Sequence, residues 1–308
     1  MKEIVTSNSV TPELADKFIN YLDISEISVK SYVSGIKKFL RYLSDNKIST
    51  PTRDTIVEFK KTLSEKYTAK TTACYLSSVK RFFSWLEAEG IFKDVAKGVK
   101  APKLTHEHRR DAFSAEELGQ IISGLDRSTL EERRNYAIFT LISATGLRTI
   151  EAVRADVADI RKISGVTVLF VQGKGKTEKD SFVKLERPVL DAIEEYLQLR
   201  GAVKGTEPLF ASCSKRNRGQ RLTTRTISGI CKTAMIKAGY NSSRLTAHSL
   251  RHSAVTIALM QGMSLQDTQA FARHANVATT TIYAHNVSRI KSLVENSIAR
   301  AIFRERRE

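Results

Sequence analysis

A charged segment with few apolar residues, close to residue 100, constrains this chain more than any other feature. From Lys97 to Asp111 the sequence reads KGVKAPKLTHEHRRD, with one glycine, one proline and many charges. Segments of this kind connect domains, because they have little apolar surface to bury in a core. The chain, at 308 residues, is also long for a single hydrophobic core. We therefore predict two domains, over residues 1–98 and 113–286, with a linker over 99–112 and a C-terminal helix over 287–308.

The composition favours helices within these domains. Only 15 glycines and 5 prolines occur in the chain, so turns are few, while 41% of the residues are hydrophobic and can form cores. We expect a mainly α fold with a small β-sheet rather than an all-β sandwich.

Four helices are predicted between residues 11 and 90. The second and fourth carry apolar residues at helical spacing, with basic residues on another face. A row of basic residues on one helix is most often only solvated, but two such helices favour contact with phosphates. The basic residues of these faces are Lys30, Lys37, Arg41, Lys70 and Arg81.

The second domain begins with a helix-capping sequence at Ser114, and Gly146 ends a later helix. Two strands, 166–171 and 181–185, flank the residues Gly173-Lys174-Gly175-Lys176 and predict a β-hairpin with Lys174 near its tip. Further helices are predicted over 188–199, 224–238, 248–261, 265–272, 278–285 and 287–300.

The net charge of +17 points to a polyanionic partner. Both sides of the linker are basic, as expected if both domains contact one long anion. Nucleic acid is the first candidate and an anionic membrane surface the second. A basic loop over 215–221 adds Arg221, and the helix after it adds Arg225, to the candidate DNA-binding residues.

The sequence lacks the motifs that several classes of chemistry require. The glycine and lysine pattern of a phosphate-binding P-loop is missing, and no motif of zinc or calcium ligands occurs, so we expect neither a metal site nor a cofactor. A metal-dependent nuclease built from scattered carboxylates stays open. Three widely spaced cysteines, no apolar run long enough to span a bilayer and no signal peptide predict a soluble cytoplasmic protein without a membrane partner.

Three short segments combine basic, histidine and tyrosine residues. The first is Thr145-Gly-Leu-Arg148-x-x-Glu151, and the second is His248-x-Leu-Arg251-His252. In the third, Tyr283 follows His274 by nine residues. Each segment alone has an ordinary explanation, such as a surface arginine or a core tyrosine. The order and spacing of the three segments, taken together, have no such ordinary explanation.

These segments, with the Gly-Lys-Gly of the hairpin, resemble the motifs of the tyrosine recombinases, the phage-integrase and Xer-like site-specific DNA recombinases. The resemblance covers nearly the whole chain. It implies a four-helix core-binding domain, an α+β catalytic domain, strand cleavage without ATP or metal, and a prokaryotic, nucleoid-associated protein that forms a tetramer on two DNA sites. Accessory proteins stay unidentified. The active-site residues that it implies are Tyr283, Arg148, Lys174, His248, Arg251 and His274.

The chemistry of these side chains agrees with the resemblance. Two guanidinium groups can stabilise the charge that develops on a phosphodiester under attack by a tyrosine oxygen. His248 is the candidate acceptor of the tyrosine proton, and Lys174 the candidate acid for the departing 5′ oxygen. His274 is expected to donate a hydrogen bond to the phosphate.

Two positions depart from the family pattern. Ala272-Arg273-His274 stands where Leu-Gly-His is common, and Lys184 stands where proline is common. Two other functions stay open: a type IB-like DNA topoisomerase and a catalytically inactive DNA-binding protein.

Overall fold

The computed structural model describes residues 9–103, 112–173 and 175–303. Contacts between residues divide the chain into two units, Met1–Glu107 and His108–Glu308. None of the helices in the described ranges is long and apolar enough to cross a membrane.

The N-terminal unit contains the four predicted helices. Threonine side chains at residues 11, 52 and 68 accept backbone N–H bonds at the starts of α1, α3 and α4. The core between the helices is rich in aromatic side chains, and Trp85 is buried among them. The helix bounds are α1 Pro12–Tyr21, α2 Glu26–Asp45, α3 Arg53–Lys66 and α4 Ala69–Ala88.

Helices α2 and α4 lie close together because Gly35 faces Ser78. A Cβ atom at Gly35 would lie 2.6 Å from the Ser78 hydroxyl oxygen, which is closer than side-chain atoms pack. The basic residues predicted on these two helices are exposed.

The second unit is helical around a small sheet. As predicted, Ser114 caps its first helix through a capping box with Glu117, and α6 ends at Gly146. The helix bounds are α5 Ala115–Ser123, α6 Leu130–Thr145, α7 Thr149–Arg154, α8 Arg187–Arg200, α9 Thr224–Lys237, α10 Ala247–Met260, α11 Leu265–Ala272, α12 Val277–Lys291 and α13 Val294–Ile302.

The predicted hairpin is present, and the sheet has one strand more than the sequence indicated. Strands β2 (Val166–Val171) and β3 (Ser181–Lys184) pair antiparallel, and β1 (Ile160–Ile163) pairs antiparallel with the other edge of β2. The structure thus confirms a mainly α fold with a small β-sheet.

The end of the second unit differs from the prediction. The sequence indicated two helices separated near residue 286, but α12 continues without a break to Lys291 and α13 follows after two residues. The core of this unit packs around α6, whose residues 137–142 are all buried.

Candidate active site

Arg148 is positioned by the end of α6 and the start of α7. Gly146 ends α6 with a left-handed backbone (φ 61°). Arg148 is the residue that caps α7, and its backbone N–H donates to Glu151 Oε2 at 2.8 Å. Its side chain donates to the other oxygen of the same carboxylate, also at 2.8 Å. Glu151 therefore binds Arg148 twice, once through the backbone and once through the guanidinium group.

Glu151 is fully buried, and it contacts a second arginine. Arg273 Nη2 lies 3.0 Å from Glu151 Oε2. Burial alone would raise the pKa of Glu151, but the charges of Arg273 and Arg148 and their hydrogen bonds lower it below the ordinary value. Glu151 is therefore ionised at neutral pH.

Arg251 lies on α10 and is 2% exposed. Its Nη1 donates to the carbonyl of Gly146 at 2.5 Å, and its Nη2 donates to the carbonyl of Ala272. Burial, followed by the charges of Arg148 and Arg273, lowers the pKa of Arg251 to about 9, so the group stays cationic at neutral pH. Among the described residues of this cluster, three guanidinium groups face one carboxylate, which leaves positive charge for an anion to neutralise.

Tyr283 lies on α12 with two histidine rings beside it. The ring of His252 is 5.1 Å from the ring of Tyr283 and 4.5 Å from that of His248, and the ring of His274 stacks on Tyr283 at 6.4 Å. Tyr283 is 7% exposed and packs with apolar residues of α10 and α12. The structure therefore brings together the predicted site residues His248, His274 and Tyr283, with His252 among them.

His274 is uncharged at neutral pH. Its Nδ1 lies 2.9 Å from the hydroxyl oxygen of Thr280, which is buried. Burial and then the charge of Arg251, with further contributions from Arg148 and Arg273, lower the pKa of His274 to about 4. The neutral ring keeps one N–H group, through which it can donate one hydrogen bond.

The predicted general acid, Lys174, lies outside the described residues. Its neighbour Gly173 accepts a hydrogen bond from Arg154 Nη1 at 3.1 Å, so the start of this loop is tied to α7. Lys176, the other lysine of the loop, pairs with Asp180 at 3.0 Å.

The predicted DNA-binding residues differ in their contacts within the protein. Lys30, Lys37, Arg41, Lys70 and Arg81 are all exposed on the N-terminal unit, and Arg225 is exposed in the first turn of α9. Arg221 instead donates to the carboxylate of Asp156 and to the carbonyls of Val153 and Ala155. Its guanidinium group thus supports the chain that follows α7.

Sequence reasoning named neither Glu151, His252 nor Arg273 as site residues. Glu151 and His252 belong to the motifs that were quoted, and their fixed spacing from Arg148 and His248 was a usable signal. At Arg273 the sequence shows only a departure from the family pattern. Its contact with Glu151 joins residues 122 positions apart, so no local pattern indicates it.

Two family models match the chain, one on each side of the predicted linker. The model described as "Phage integrase family" matches residues 111–289, and "Phage integrase, N-terminal SAM-like domain" matches residues 15–90.

Individual proteins give the same picture. The chain is 32% identical to tyrosine recombinase XerD of Proteus mirabilis over 78% of this chain and 75% of that protein. It is 27% identical to XerD of Listeria innocua over 89% and 94% of the two chains. Among solved structures, XerH site-specific recombinase bound to its palindromic difH substrate superposes with a TM-score of 0.75 at 21% identity, covering 95% of this chain and 84% of that one.

Proposed function

Because the chain belongs to the phage integrase family and is a site-specific tyrosine recombinase, we propose that it cleaves and rejoins DNA strands with Tyr283 as the nucleophile. The observation that carries this proposal is the cluster of three guanidinium groups, Arg148, Arg273 and the buried Arg251, in the same unit as a tyrosine flanked by histidine rings. The cluster has the charge that a phosphodiester would neutralise.

In the cleavage step the Tyr283 oxygen bonds to the phosphorus and the bond from phosphorus to the 5′ oxygen breaks. The tyrosine proton goes to His248, and Lys174 gives a proton to the departing 5′ oxygen. Arg148 and Arg251 stabilise the negative charge on the non-bridging oxygens. The DNA strand then remains joined to the enzyme through a 3′-phosphotyrosyl bond.

Rejoining reverses these movements with a 5′ hydroxyl from another strand. The phosphotyrosyl ester keeps the energy of the ester that was broken, so the exchange needs no ATP. No step uses a metal, since guanidinium groups supply the positive charge.

The histidines take different roles in this step. His274 is neutral, and we assign the tautomer in which the Thr280 hydroxyl donates to Nδ1, so that the proton on Nε2 is available to donate to a phosphate oxygen. His252 contacts the rings of both His248 and Tyr283, so it is the second candidate for accepting the tyrosine proton.

The DNA partner is bound through both units in this proposal. The exposed basic residues of α2 and α4, with Arg225 on α9, contact backbone phosphates of the duplex. Two protomers on each of two DNA sites form a tetramer, the assembly in which lambda integrase is bound to a Holliday junction. We place this activity at the bacterial nucleoid, in the cytoplasm.

We propose that α13 connects neighbouring protomers. Its apolar residues are open to solvent: Ile298 is 53% exposed, Ile302 67% and Phe303 78%. Because α13 follows the helix of Tyr283, its docking on a second protomer would couple nucleophile placement to assembly.

A truncation after Ser292 tests this role, since α12 extends to Lys291. We expect binding of one protomer to a half-site to persist and cooperative binding of the second protomer to be lost, measured by gel-shift titration on single and paired half-sites. Ile298→Asp should reproduce the loss, and Ser297→Asp on the same helix serves as its control. Unchanged cooperativity in the truncated protein would mean that the helix packs on its own protomer.

Covalent trapping separates the proposed function from its alternatives. A nicked substrate, whose cut strand diffuses away, should trap the protein on DNA, and a catalytically inactive DNA-binding protein would leave no such adduct. A type IB-like topoisomerase would also form the adduct, but it would relax supercoiled plasmid without sequence preference and as a monomer. Recombination between two copies of one site, without general relaxation, is the result expected here.

A further inference from the structure

Arg273 adopts a backbone conformation that does not by itself favour arginine. It ends α11 in the left-handed region, with φ 51° and ψ 46°. Glycine adopts this conformation most readily, and most other side chains are strained there. The contacts of the Arg273 side chain are therefore expected to offset this strain.

Those contacts are with the two groups that also hold the catalytic arginines. Arg273 Nη2 lies 3.0 Å from Glu151 Oε2, and the same carboxylate binds Arg148. Arg273 Nη2 also lies 3.4 Å from the carbonyl oxygen of Gly146, which accepts from Arg251. One guanidinium group thus reaches both acceptors.

The backbone of the same turn holds both catalytic arginines a second time. The carbonyl of Ala272 accepts from Arg251, and the carbonyl of Arg273 accepts from Arg148 Nη2 at 3.2 Å. Fixing this turn against Glu151 therefore fixes the positions of two guanidinium groups at once. The Arg273 side chain is 11% exposed, against 25% for Arg148, so Arg148 is the more open of the two to a bound phosphate.

We propose that Arg273 is a positioning residue that aligns Arg148 and Arg251 for the scissile phosphate by anchoring the turn that both of them contact. This inference rests on the proposed function, in which those two arginines stabilise the charge on the phosphate. In this chain an arginine side chain does what a glycine at this position could not do.

Single-turnover cleavage of two matched substrates tests the proposal. The duplex is one selected from a randomised library by covalent capture with the unmodified protein, made into a nicked suicide substrate. Its scissile linkage is either the natural phosphodiester or a methylphosphonate, in which a methyl group replaces one non-bridging oxygen and removes the negative charge. Charge stabilisation by aligned arginines matters less on the second substrate.

We expect Arg273→Gly to slow phosphodiester cleavage about 10- to 100-fold, the size of effect that small misplacements of reacting groups produce. Binding to the half-site should change little, and most of the defect should disappear on the methylphosphonate. Arg273→Lys keeps the charge but reaches fewer acceptors, so its rate of phosphodiester cleavage should lie between those of the unmodified protein and Arg273→Gly. Lys47→Gly is the matched control, because Lys47 is an exposed basic residue with the same left-handed backbone (φ 55°) in the other unit.

The outcomes separate the inference from the proposed function. Arg148→Ala, assayed in parallel, should be slow on the phosphodiester, and a normal rate there would contradict the proposed function. If Arg148→Ala is slow but Arg273→Gly cleaves normally, the positioning role is wrong. It is also wrong if Arg273→Gly loses the same factor on both substrates, since a general structural defect would do that, and thermal unfolding of each variant identifies such a defect.

Discussion

The two units of this molecule use their cations in opposite ways. Within residues 9–103, the buried polar side chains are the hydroxyls of Thr72 and Ser78, and no basic residue is buried. The second unit buries Arg251 in one cluster with the buried carboxylate of Glu151. Exposed cations contribute to affinity in small, salt-screened amounts. Buried cations are fixed in direction and already desolvated, so they can act on one charged group with little reorganisation.

This contrast predicts that changes in the two units affect different measurements. Substitutions in the buried cluster should lower the rate of cleavage while DNA binding persists. Substitutions of exposed basic residues on α2 and α4 should lower the affinity for DNA and make it less dependent on salt. The rate of cleavage of bound DNA should stay the same.

The largest effect is expected for Tyr283→Phe. The ring keeps its packing among the apolar residues around it, but the nucleophilic oxygen is lost, so cleavage should be abolished with half-site binding unchanged. Covalent trapping and gel shift measure the two properties on the same substrate. A covalent adduct formed by this variant would remove Tyr283 from the mechanism.

Lys174→Ala should slow cleavage by about 10²- to 10⁴-fold, the usual contribution of a general acid. A substrate with a bridging 5′ sulfur should recover most of this loss, because a thiolate leaves without being protonated. Lys176→Ala is the control in the same loop, since Lys176 is already paired with Asp180. If Lys174→Ala cleaves both substrates equally slowly, Lys174 only binds the DNA. Lys176 would then become the candidate acid.

Arg251→Lys tests whether a buried cation acts through its geometry. Lysine keeps the charge but cannot contact the carbonyls of Gly146 and Ala272 and a phosphate together. We expect cleavage to fall about 10²- to 10³-fold, as for the loss of one oxyanion donor. A rate close to that of the unmodified protein would mean that only the charge matters, and the contrast between the units would weaken.

The smallest effects are expected on the exposed helices. Lys37→Ala or Lys70→Ala should each lower the slope of log affinity against log salt by about one, with the cleavage rate of bound DNA unchanged. Lys61→Ala, an exposed position on α3, is the matched control. A cleavage defect at saturating protein would show that these residues do more than bind phosphate.

The sequence predicted the features that depend on neighbouring residues. Ser114 caps α5 through Glu117, three positions away, and Gly146 ends α6 by its own backbone preference. Strand β1 was missed because its four residues, Ile160–Ile163, show no clear alternation and pair only through contacts with β2. The break between the last two helices was predicted near residue 286 instead of at residues 292–293, because neither glycine nor proline marks it in the sequence.

The site was predictable where its motif was local and unpredictable where distant segments meet. Arg148, His248 and Tyr283 were named because the segments that contain them resemble the motifs of the tyrosine recombinases. The bond between Arg273 and Glu151 could not, because it depends on how α11 approaches α7 in the folded chain. The low pKa of His274 has the same origin, since it results from burial and from arginines on other segments.

The most direct test of this account is to identify the tyrosine that carries DNA. The protein is trapped on a nicked substrate, digested with nuclease and trypsin, and the peptide bearing a nucleotide is identified by mass spectrometry. We predict the peptide of residues 274–289, in which Tyr283 is the single tyrosine. A nucleotide on the peptide of residues 238–244, which contains Tyr240, or on any other tyrosine would contradict the account.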